Sequence, residues 1–423
     1  MDDANVFRLV QPGQIDDPLT DVLRNGAARL LAAAIDAEVE AHLAAYQDLK
    51  LPDGRQRLVR HGTLPEREVQ TGIGPVPIRM PRVRDRGGDR QDKIHFRSSL
   101  LPKYVRRTNS LEALIPWLYL KGVSSGNFQD ALSALLGPDA PNLSSDTILR
   151  LTKSWAEELV QWEGRDLSAR HYAYLWADGI YFQARTEPDS QCMLIIIGAT
   201  PEGKKELVGF TDGYRESAQS WRELLLDLKA RGLAKVPALA VGDGGMGFWA
   251  ALREVFPTTA QQRCWVHKTA NVLNELPKSV QPKAKADLHN IWMAETRKDA
   301  EQAFDHFADK YDAKYDKAVA CLAKDREALL AFYDFPAQHW RHIRTTNPIE
   351  STFATVRHRT KRAKGCLSRD KTRIMVFKLI KAAEKNWLKL RGRNLLPKVI
   401  DGIKFTDGDE VMPIVKDETQ TAA

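Results

Sequence analysis

Three acidic residues in unlike settings are the strongest candidates for chemistry in this chain. Asp178 lies in YLWADGIYF, Asp243 in ALAVGDGGMG and Glu350 in RTTNPIEST. The pattern places the aspartates in or at the end of apolar strands and the glutamate on a helix. Clustered carboxylates bind hard divalent cations, and two such cations can drive phosphoryl transfer. The hypothesis of a metal-dependent site depends on the fold bringing the three residues together.

Each acidic residue also has a purely structural interpretation. Asp-Gly is a common turn dipeptide, so Asp178 and Asp243 are both compatible with ordinary turns. In TTNPIES, Asn347 is a candidate N-cap and Glu350 its capping-box partner three residues later. A single motif therefore does not distinguish a catalytic residue from a structural one. The order of the motifs along the chain and the residues around them must make that distinction.

Composition sets the class of protein. The chain has 423 residues, enough for two to four domains. Its beginning, MDDANVFRLVQPGQIDD, lacks the basic and then apolar pattern of a signal peptide, and no apolar run reaches 18 residues. The four cysteines are far apart and form no CxxC pair, which argues against a disulfide framework. We expect a cytoplasmic protein with free thiols and no membrane partner.

Positive charge is concentrated in two segments. The formal net charge is +8, but residues 55–107 contain 14 Lys and Arg against 5 Asp and Glu, and residues 357–393 contain 14 against 2. Two basic zones in an otherwise acidic chain are typical of a protein that binds a polyanion such as DNA. For either segment alone, a solvated basic helix face is the alternative.

The periodicity predicts helices first and a mixed α/β core later. A long amphipathic helix is expected over 19–46, edge strands or an extended arm over 52–100, and three short helices over 110–162 that suit either a helix-turn-helix or a plain bundle. Residues 171–263 then show three strands, a helix, a strand, a helix and a strand. A charged, Ala-rich helical segment follows to about residue 342.

Several motifs occur together in a recognisable order. They are WADGIYF, GYRESAQSWRELLLDLKARGL, VGDGGMGFWAAL, RCWVHKTANVLNELPK and TTNPIESTFATVRHRTKRAKG. In these motifs and their spacings, from roughly 106 to 393, the chain resembles the mutator-type insertion-sequence transposases of bacteria, a branch of the DDE transposases. The resemblance implies an RNase H-like α/β core with a mixed sheet and a helical insertion, preceded by mostly helical regions for DNA binding and dimerisation.

The resemblance also implies the site residues. Asp178, Asp243 and Glu350 would be the catalytic carboxylates and would hold two Mg²⁺ ions, for which Mn²⁺ substitutes. Cys264 and His267 match the C-x-x-H signature of the family. We expect a structural or core-positioning role for them, with metal binding as the alternative, because two ligands without a second pair do not make a zinc site. The DNA contacts expected around Glu350 are Arg344, Arg357, Arg359, Lys361, Arg362 and Lys364.

We therefore expect a transposase that binds the terminal inverted repeats of its element and target DNA, acts as a homo-oligomer, and cuts and joins DNA strands. The alternatives are an RNase H-like nuclease or resolvase and a non-catalytic, transposase-derived DNA-binding regulator. The expected division of the chain is an N-terminal helical region (1–50), a basic arm (51–107), a helix-turn-helix-like region (108–165), the catalytic core (166–275 and 343–394), the helical insertion (276–342) and a tail (395–423).

Overall fold

The computed structural model describes residues 18–87, 92–121, 145–183, 190–213, 216–362 and 369–411. The chain forms two compact units, residues 1–151 and 152–423. None of the helices in the described ranges is both long and apolar enough to cross a membrane.

The first unit contains one long helix and short antiparallel strands. Its elements are α1 (Pro18–Ala45), β1 (Leu58–Thr63), β2 (Arg67–Thr71), β3 (Gly74–Ile78), β4 (Pro81–Asp85) and α2 (Asn109–Lys121). β1 pairs with β4 and β2 with β3, both antiparallel. Ile35 of α1 packs with Val69, Val76 and Ile78 of the strands in a small apolar core. The long helix and the edge-type strands agree with the sequence prediction.

A five-stranded mixed sheet organises the second unit. A helix, α3 (Ser145–Glu163), leads into it, and the strands are β5 (Tyr174–Gln183), β6 (Ser190–Ala199), β7 (Lys205–Gly213), β8 (Leu239–Gly242) and β9 (Ala260–Arg263). Their spatial order is β7-β6-β5-β8-β9. β5, β6 and β7 are antiparallel neighbours, whereas β8 runs parallel to β5 and β9 parallel to β8. The predicted strand and helix order over 171–263 is confirmed.

Helices cover both faces of this sheet because its strands are apolar on both sides. On one face, α4 (Ala218–Ala230) and α5 (Met246–Val255) bury Trp221 and Leu252 against Leu175 and Ile196. On the other, α11 (Asn347–Arg362) packs on β5 and α12 (Arg369–Glu384) on β7.

Between β9 and α11 the chain is helical, as predicted. The segments are α6 (Trp265–Asn274), α7 (Gln281–Met293), α8 (Arg297–Ala323), α9 (Arg326–Leu330) and α10 (Trp340–Ile343), with short 3₁₀ turns at Ala331–Asp334 and Ala337–His339. After α12 come a 3₁₀ turn (Arg393–Leu395), α13 (Leu396–Ile400) and the two-residue strands β10 (Phe405–Thr406) and β11 (Asp409–Glu410).

Parts of the predicted architecture stay predictions. The middle of the proposed helix-turn-helix falls on residues 122–144, outside the described residues, so only its first and last helices, α2 and α3, are seen. The division into two units does not test the finer domain boundaries expected from the sequence.

A buried histidine ties the sheet to the C-terminal segment. The side chain of His339 has no solvent exposure. Its Nδ1 lies 2.6 Å from the hydroxyl of Tyr174 in β5, and its Nε2 lies 2.9 Å from the carbonyl oxygen of Gly392. A neutral ring satisfies both contacts, with Nε2–H donating to the carbonyl and Nδ1 accepting from the hydroxyl. Burial lowers the pKa of His339 and so keeps the ring neutral.

We expect His339→Ala to lower the free energy of unfolding by about 2–3 kcal/mol at neutral pH, because two buried polar groups lose a partner and a cavity remains. Below about pH 6.5 the unfolded chain binds a proton at His339 that the native state binds less readily, so the stability that wild-type His339 contributes declines as the pH falls. The gap between wild type and variant should therefore narrow on acidification.

Urea unfolding followed by circular dichroism at several pH values measures this gap. His306→Ala, an exposed change on α8, is the control and should leave stability nearly unchanged. If the difference in unfolding free energy between wild type and His339→Ala widened as the pH falls, the assignment of a neutral His339 ring would be wrong.

Candidate active site

The register of the parallel strands places three chemically active residues in a row. Ala177 of β5 pairs with Gly242 of β8, and Gly242 pairs with Arg263 of β9. The residues that follow these three partners are Asp178, Asp243 and Cys264. Because neighbouring strands lie about 4.8 Å apart, Asp178 in the middle of β5 lies beside Asp243 and Cys264. The latter two directly follow the carboxyl ends of β8 and β9, the edge at which open α/β sheets bind ligands.

Asp178 is a buried carboxylate in an acidic environment. It retains 8% exposure, and its Oδ1 accepts a hydrogen bond of 2.8 Å from the backbone N–H of Gly179. Burial raises the pKa of Asp178 to about 7, and the negative charges of Asp243 and Glu216 add to the effect. Asp178 is therefore held where its ionised form needs a nearby cation.

Asp243 is positioned by a glycine turn on top of an arginine. Its Oδ1 accepts from the N–H of Gly245 at 2.8 Å. Gly244 has a φ of +91°, and a Cβ at this position would lie 1.9 Å from the guanidinium of Arg263. Only glycine allows this turn to close over the arginine, so the Asp-Gly pair is both a turn and a support for the candidate ligand.

Glu216 is a fourth carboxylate at the site, which the sequence interpretation missed. It lies just before α4, and Ser217 beside it caps that helix. A Cβ on Gly179 would lie 2.2 Å from Oε1 of Glu216, and one on Gly245 would lie 3.4 Å from Oε2. The carboxylate therefore fits between the two glycine backbones that follow Asp178 and Asp243. Burial raises the pKa of Glu216 to about 7, with a further contribution from Asp243.

The sequence carried a weak signal for Glu216. The motif GYRESAQSW supported the family resemblance as a whole, yet its one acidic residue before the helix was not considered a site residue. Nothing in local periodicity reveals that the side chain of Glu216 packs against Gly179. The contact depends on the tertiary packing of α4.

Glu350 approaches from the other side, on the first turn of α11. Ile349, Phe353 and Val356 bury one face of this helix and thereby set its orientation. Oε1 of Glu350 accepts a hydrogen bond of 2.7 Å from the hydroxyl of Thr346. The carboxylate thus bonds a side chain one turn earlier, whereas the capping-box interpretation expected it to bond the backbone of Asn347.

Cys264 and His267 connect Glu350 to the aspartates. Cys264 is fully buried at the start of α6, and Nδ1 of His267 lies 3.7 Å from Oε1 of Glu350. A hydrogen bond with Cys264 raises the pKa of His267 to about 9, and the charges of Glu350 and Asp178 favour its protonated form as well. Burial alone would raise the pKa of the Cys264 thiol, but hydrogen bonds with His267 and Thr346 outweigh it and lower that pKa.

The three predicted carboxylates thus face one region but are not equally close. Asp178 and Asp243 are neighbours by strand register, with Glu216 beside them. Within the described ranges, the group of three or more candidate metal ligands whose donor atoms all lie within 4.8 Å of one another is Cys264, His267 and Glu350. Glu350 is therefore turned toward the Cys-His pair in this structure.

The predicted DNA contacts have different environments. Arg357 is exposed on α11, with its guanidinium 5.8 Å from the ring of Phe353. Arg344 is packed against Trp292 and Phe332, at 4.9 and 5.4 Å from the ring centres, and it donates to the carbonyl of Trp292. That geometry gives Arg344 a packing role, and its DNA contact stays a prediction. Lys364 and the side chains of Arg359, Lys361 and Arg362 lie outside what the structure describes.

Comparison with known proteins places the chain in a family. The model of the Mutator family of transposases matches residues 6–389. The chain belongs to this family. It is 54% identical over 295 residues to the transposase for insertion sequence element IST2 of Acidithiobacillus ferrooxidans, an alignment that covers 70% of this chain and all of the relative. It is 50% identical over 298 residues to the transposase for insertion sequence element IS6120 of Mycolicibacterium smegmatis, covering 70% and 92%.

In this transposase-family chain, the acidic cluster should cost stability without a bound cation. The pKa of Asp178 is raised above its unfolded value, so the native state binds the extra proton and loses stability as the pH rises from about 4 through about 7. Asp178→Asn removes this cost. We expect the variant to be more stable than wild type at pH 8 in EDTA, by about 1–3 kcal/mol.

Thermal unfolding at several pH values measures the effect. The stability advantage of Asp178→Asn should vanish near pH 4, and a divalent cation should reduce it at pH 8. Asp309→Asn changes an exposed carboxylate on α8 and serves as the matched control. A variant that is less stable than wild type at pH 8 in EDTA would show that Asp178 is not under electrostatic strain.

Proposed function

We propose that this chain is the transposase of an insertion sequence, which binds the terminal inverted repeats of its element and catalyses metal-dependent cleavage and transfer of DNA strands. Family membership supports transposition as its activity, and both relatives described above are named as transposases of insertion sequence elements. The observation that carries the chemistry is the convergence of Asp178, Asp243 and Glu216 beside the carboxyl end of β8, with Glu350 on a helix that packs against β5.

The architecture supports an RNase H-like catalytic core. Three antiparallel strands followed by two parallel ones, in the order β7-β6-β5-β8-β9, form a central mixed sheet with helices on both faces. The first acidic residue lies in the first strand, on the central position of this sheet, and the second follows the fourth strand. This is the arrangement that the sequence resemblance implies for a DDE enzyme.

The residues fit divalent metal. Asp178 is a buried and Glu216 a half-buried carboxylate, and the pKa values of both are raised to about 7 by burial and by neighbouring negative charge. Carboxylate oxygens are the ligands that Mg²⁺ prefers, and Mn²⁺ accepts the same set. Asp178, Asp243 and Glu350 would hold two such ions, with Glu216 supporting them. Bound ions of this kind activate the attacking oxygen and stabilise the leaving oxygen of a phosphodiester.

The chain itself positions these ligands. The hydrogen bonds of Asp178 to Gly179 and of Asp243 to Gly245 fix each carboxylate on rigid backbone. Glu350 stands on a helix whose buried face is packed against β5, and its longer side chain gives it reach. Such preorganisation matters because catalytic groups act best when held within a fraction of an ångström of the productive geometry.

Basic residues supply the DNA-binding surface in this proposal. Arg357 lies two turns after Glu350 and is exposed. It opens the segment 357–393 with its 14 Lys and Arg, which would contact phosphates near the site. The basic zone of 55–107 and the proposed helix-turn-helix would bind the inverted repeats. Action on paired ends would require a homo-oligomer.

We expect Asp178→Asn, Asp243→Asn and Glu350→Gln each to reduce strand cleavage and strand transfer at least about a thousandfold, the scale seen when a main electrostatic element of an active site is removed. DNA binding should survive, because none of these side chains is basic. The assay uses DNA that carries the ends flanking the gene, with Mg²⁺, Mn²⁺ or EDTA, alongside an electrophoretic mobility assay.

Glu223→Gln is the matched control, because Glu223 is an exposed carboxylate on α4 and its substitution should leave both activities unchanged. Hydrolysis without joining would instead favour the nuclease alternative. Binding without metal-dependent cleavage in wild type would favour the regulator.

Glu216→Gln should reduce the cleavage rate about 10–100-fold, the range seen when groups supporting a metal site are lost, and should raise the Mg²⁺ concentration needed for half-maximal rate. Gly179→Ala should do the same, because its Cβ would displace the Glu216 carboxylate. Gly72→Ala is the control, since no atom lies within 4 Å of the added Cβ. Unchanged metal dependence in Glu216→Gln would remove this residue from the site.

A further inference from the structure

The Cys-His pair beside Glu350 has the composition of a different kind of metal site. One sulfur, one ring nitrogen and one carboxylate oxygen, from Cys264, His267 and Glu350, lie within 4.8 Å of one another. Mg²⁺ rarely takes sulfur or imidazole, whereas zinc and cobalt accept all three donor types. This mixed set of donors therefore favours zinc or cobalt over Mg²⁺, the ion expected at the aspartates.

The fold itself brings these three donors together. Cys264 is the N-cap residue of α6 and His267 lies on its first turn, three residues later, a spacing that places both side chains on one side of the helix. The chain before α11 is tied to this turn by a hydrogen bond of 3.0 Å from the N–H of Trp265 to the carbonyl of Arg344. The two segments that supply the ligands are thus already joined.

Thr346 supports the same three groups. Its backbone N–H and its hydroxyl both lie 3.3 Å from Sγ of Cys264, and the hydroxyl lies 2.7 Å from Oε1 of Glu350. Because the single hydroxyl proton is donated to Glu350, the backbone N–H of Thr346 is the donor to the sulfur, and this hydrogen bond favours the thiolate, which is the metal-binding form. Outer hydrogen bonds of this kind orient metal ligands.

The exposure of the ligands suits a site that an ion enters from solvent. Cys264 is fully buried, while the side chains of His267 and Glu350 retain 37% and 33% exposure. Three protein ligands with an accessible fourth position are the pattern of an open zinc site, in contrast to the closed four-ligand pattern of structural sites.

We propose that Cys264, His267 and Glu350 form a binding site for a thiophilic divalent cation, Zn²⁺ or its analogue Co²⁺. This site shares Glu350 with the proposed Mg²⁺ site and takes its other two ligands from the Cys-His pair instead of the aspartates. On binding, the Cys264 thiol and the His267 ring each release their proton to solvent, and new bonds form from Sγ, from Nδ1 and from one carboxylate oxygen. One consequence rests on the proposed function. An ion bound here would withdraw Glu350 from the Mg²⁺ site, so Zn²⁺ should inhibit strand cleavage.

The test uses the full-length protein, freed of metal and kept reduced, and titrates it with Co²⁺. We expect one equivalent to produce the near-ultraviolet absorption of a cobalt thiolate and its visible tetrahedral bands, and Zn²⁺ to displace them. Cys264→Ser should lose the thiolate absorption. Glu350→Gln should keep it while its Co²⁺ affinity falls about tenfold or more.

Two controls distinguish this site from cobalt bound at another thiol or at the aspartates. Cys321→Ser replaces a cysteine of α8 that is remote in sequence from the three ligands and should retain the full cobalt spectrum. Asp178→Asn should also retain it, although the proposed function predicts that this variant is inactive. The cobalt readout therefore stands even if strand transfer is never observed.

Three results would overturn the proposal. They are a wild-type protein that folds and shows no cobalt-thiolate absorption, absorption that persists in Cys264→Ser, and Co²⁺ affinity unchanged in Glu350→Gln. Thermal unfolding of each variant confirms that a lost signal is not lost structure.

Discussion

The parallel register of β5, β8 and β9 is the constraint on which the rest of the site depends. Because Ala177, Gly242 and Arg263 are paired across three strands, the residues after them must emerge at one edge as neighbours. A shift of one residue in any of these strands would turn an aspartate or the cysteine to the opposite face. The buried apolar faces of the sheet fix that register, so hydrophobic packing positions the carboxylates.

Converging acidic groups are destabilising, and the fold compensates beneath them. Arg263 lies under the Asp243 turn, with its Nε 3.4 Å from Asp325, and the fully buried Lys268 pairs with the same carboxylate. Lys268 also donates to the carbonyl of Cys321 at 2.7 Å. Removing one partner from such a buried group is far more costly than the group's net contribution. Two cations for one carboxylate also place positive potential below the acidic edge. The helical segment between β9 and α11, which contributes Asp325, therefore supports the site as well as filling the gap before Glu350.

The sequence predicted what periodicity and order control, and missed what packing controls. The strand and helix order over 171–263 and the settings of Asp178, Asp243 and Glu350 followed from apolar patterns and from motif order. Glu216 was missed because a residue in an irregular loop has no periodic signal, and only the packing of α4 brings it over Gly179. The predicted hydrogen-bond partner of Glu350, the backbone of Asn347, was wrong for a related reason. The capping box considers only neighbours along the chain, whereas Thr346, the observed partner, is positioned by its contacts with the distant Cys264. Arg344 was expected to contact DNA, but its guanidinium packs against Trp292 and Phe332. These aromatic residues are distant in sequence, so local patterns did not reveal them.

The carboxylate of Glu350 is turned toward the Cys-His pair in this structure. It is held by Thr346 and lies 3.7 Å from the His267 ring, a ring whose pKa is raised by Cys264 and by the nearby acids. An imidazolium here partly balances the negative charge that Asp178, Glu216 and Glu350 create together. A divalent cation at the aspartates would take over that balance, and the attraction between Glu350 and His267 would weaken as the added positive charge opposes protonation of the ring. Under the proposed function, the Glu350 side chain would have to turn from the Cys-His pair toward the aspartates to bind the metal there. Without a metal at the aspartates, the hydrogen bond from Thr346 and the nearby His267 ring thus hold the Glu350 carboxylate at the Cys-His pair.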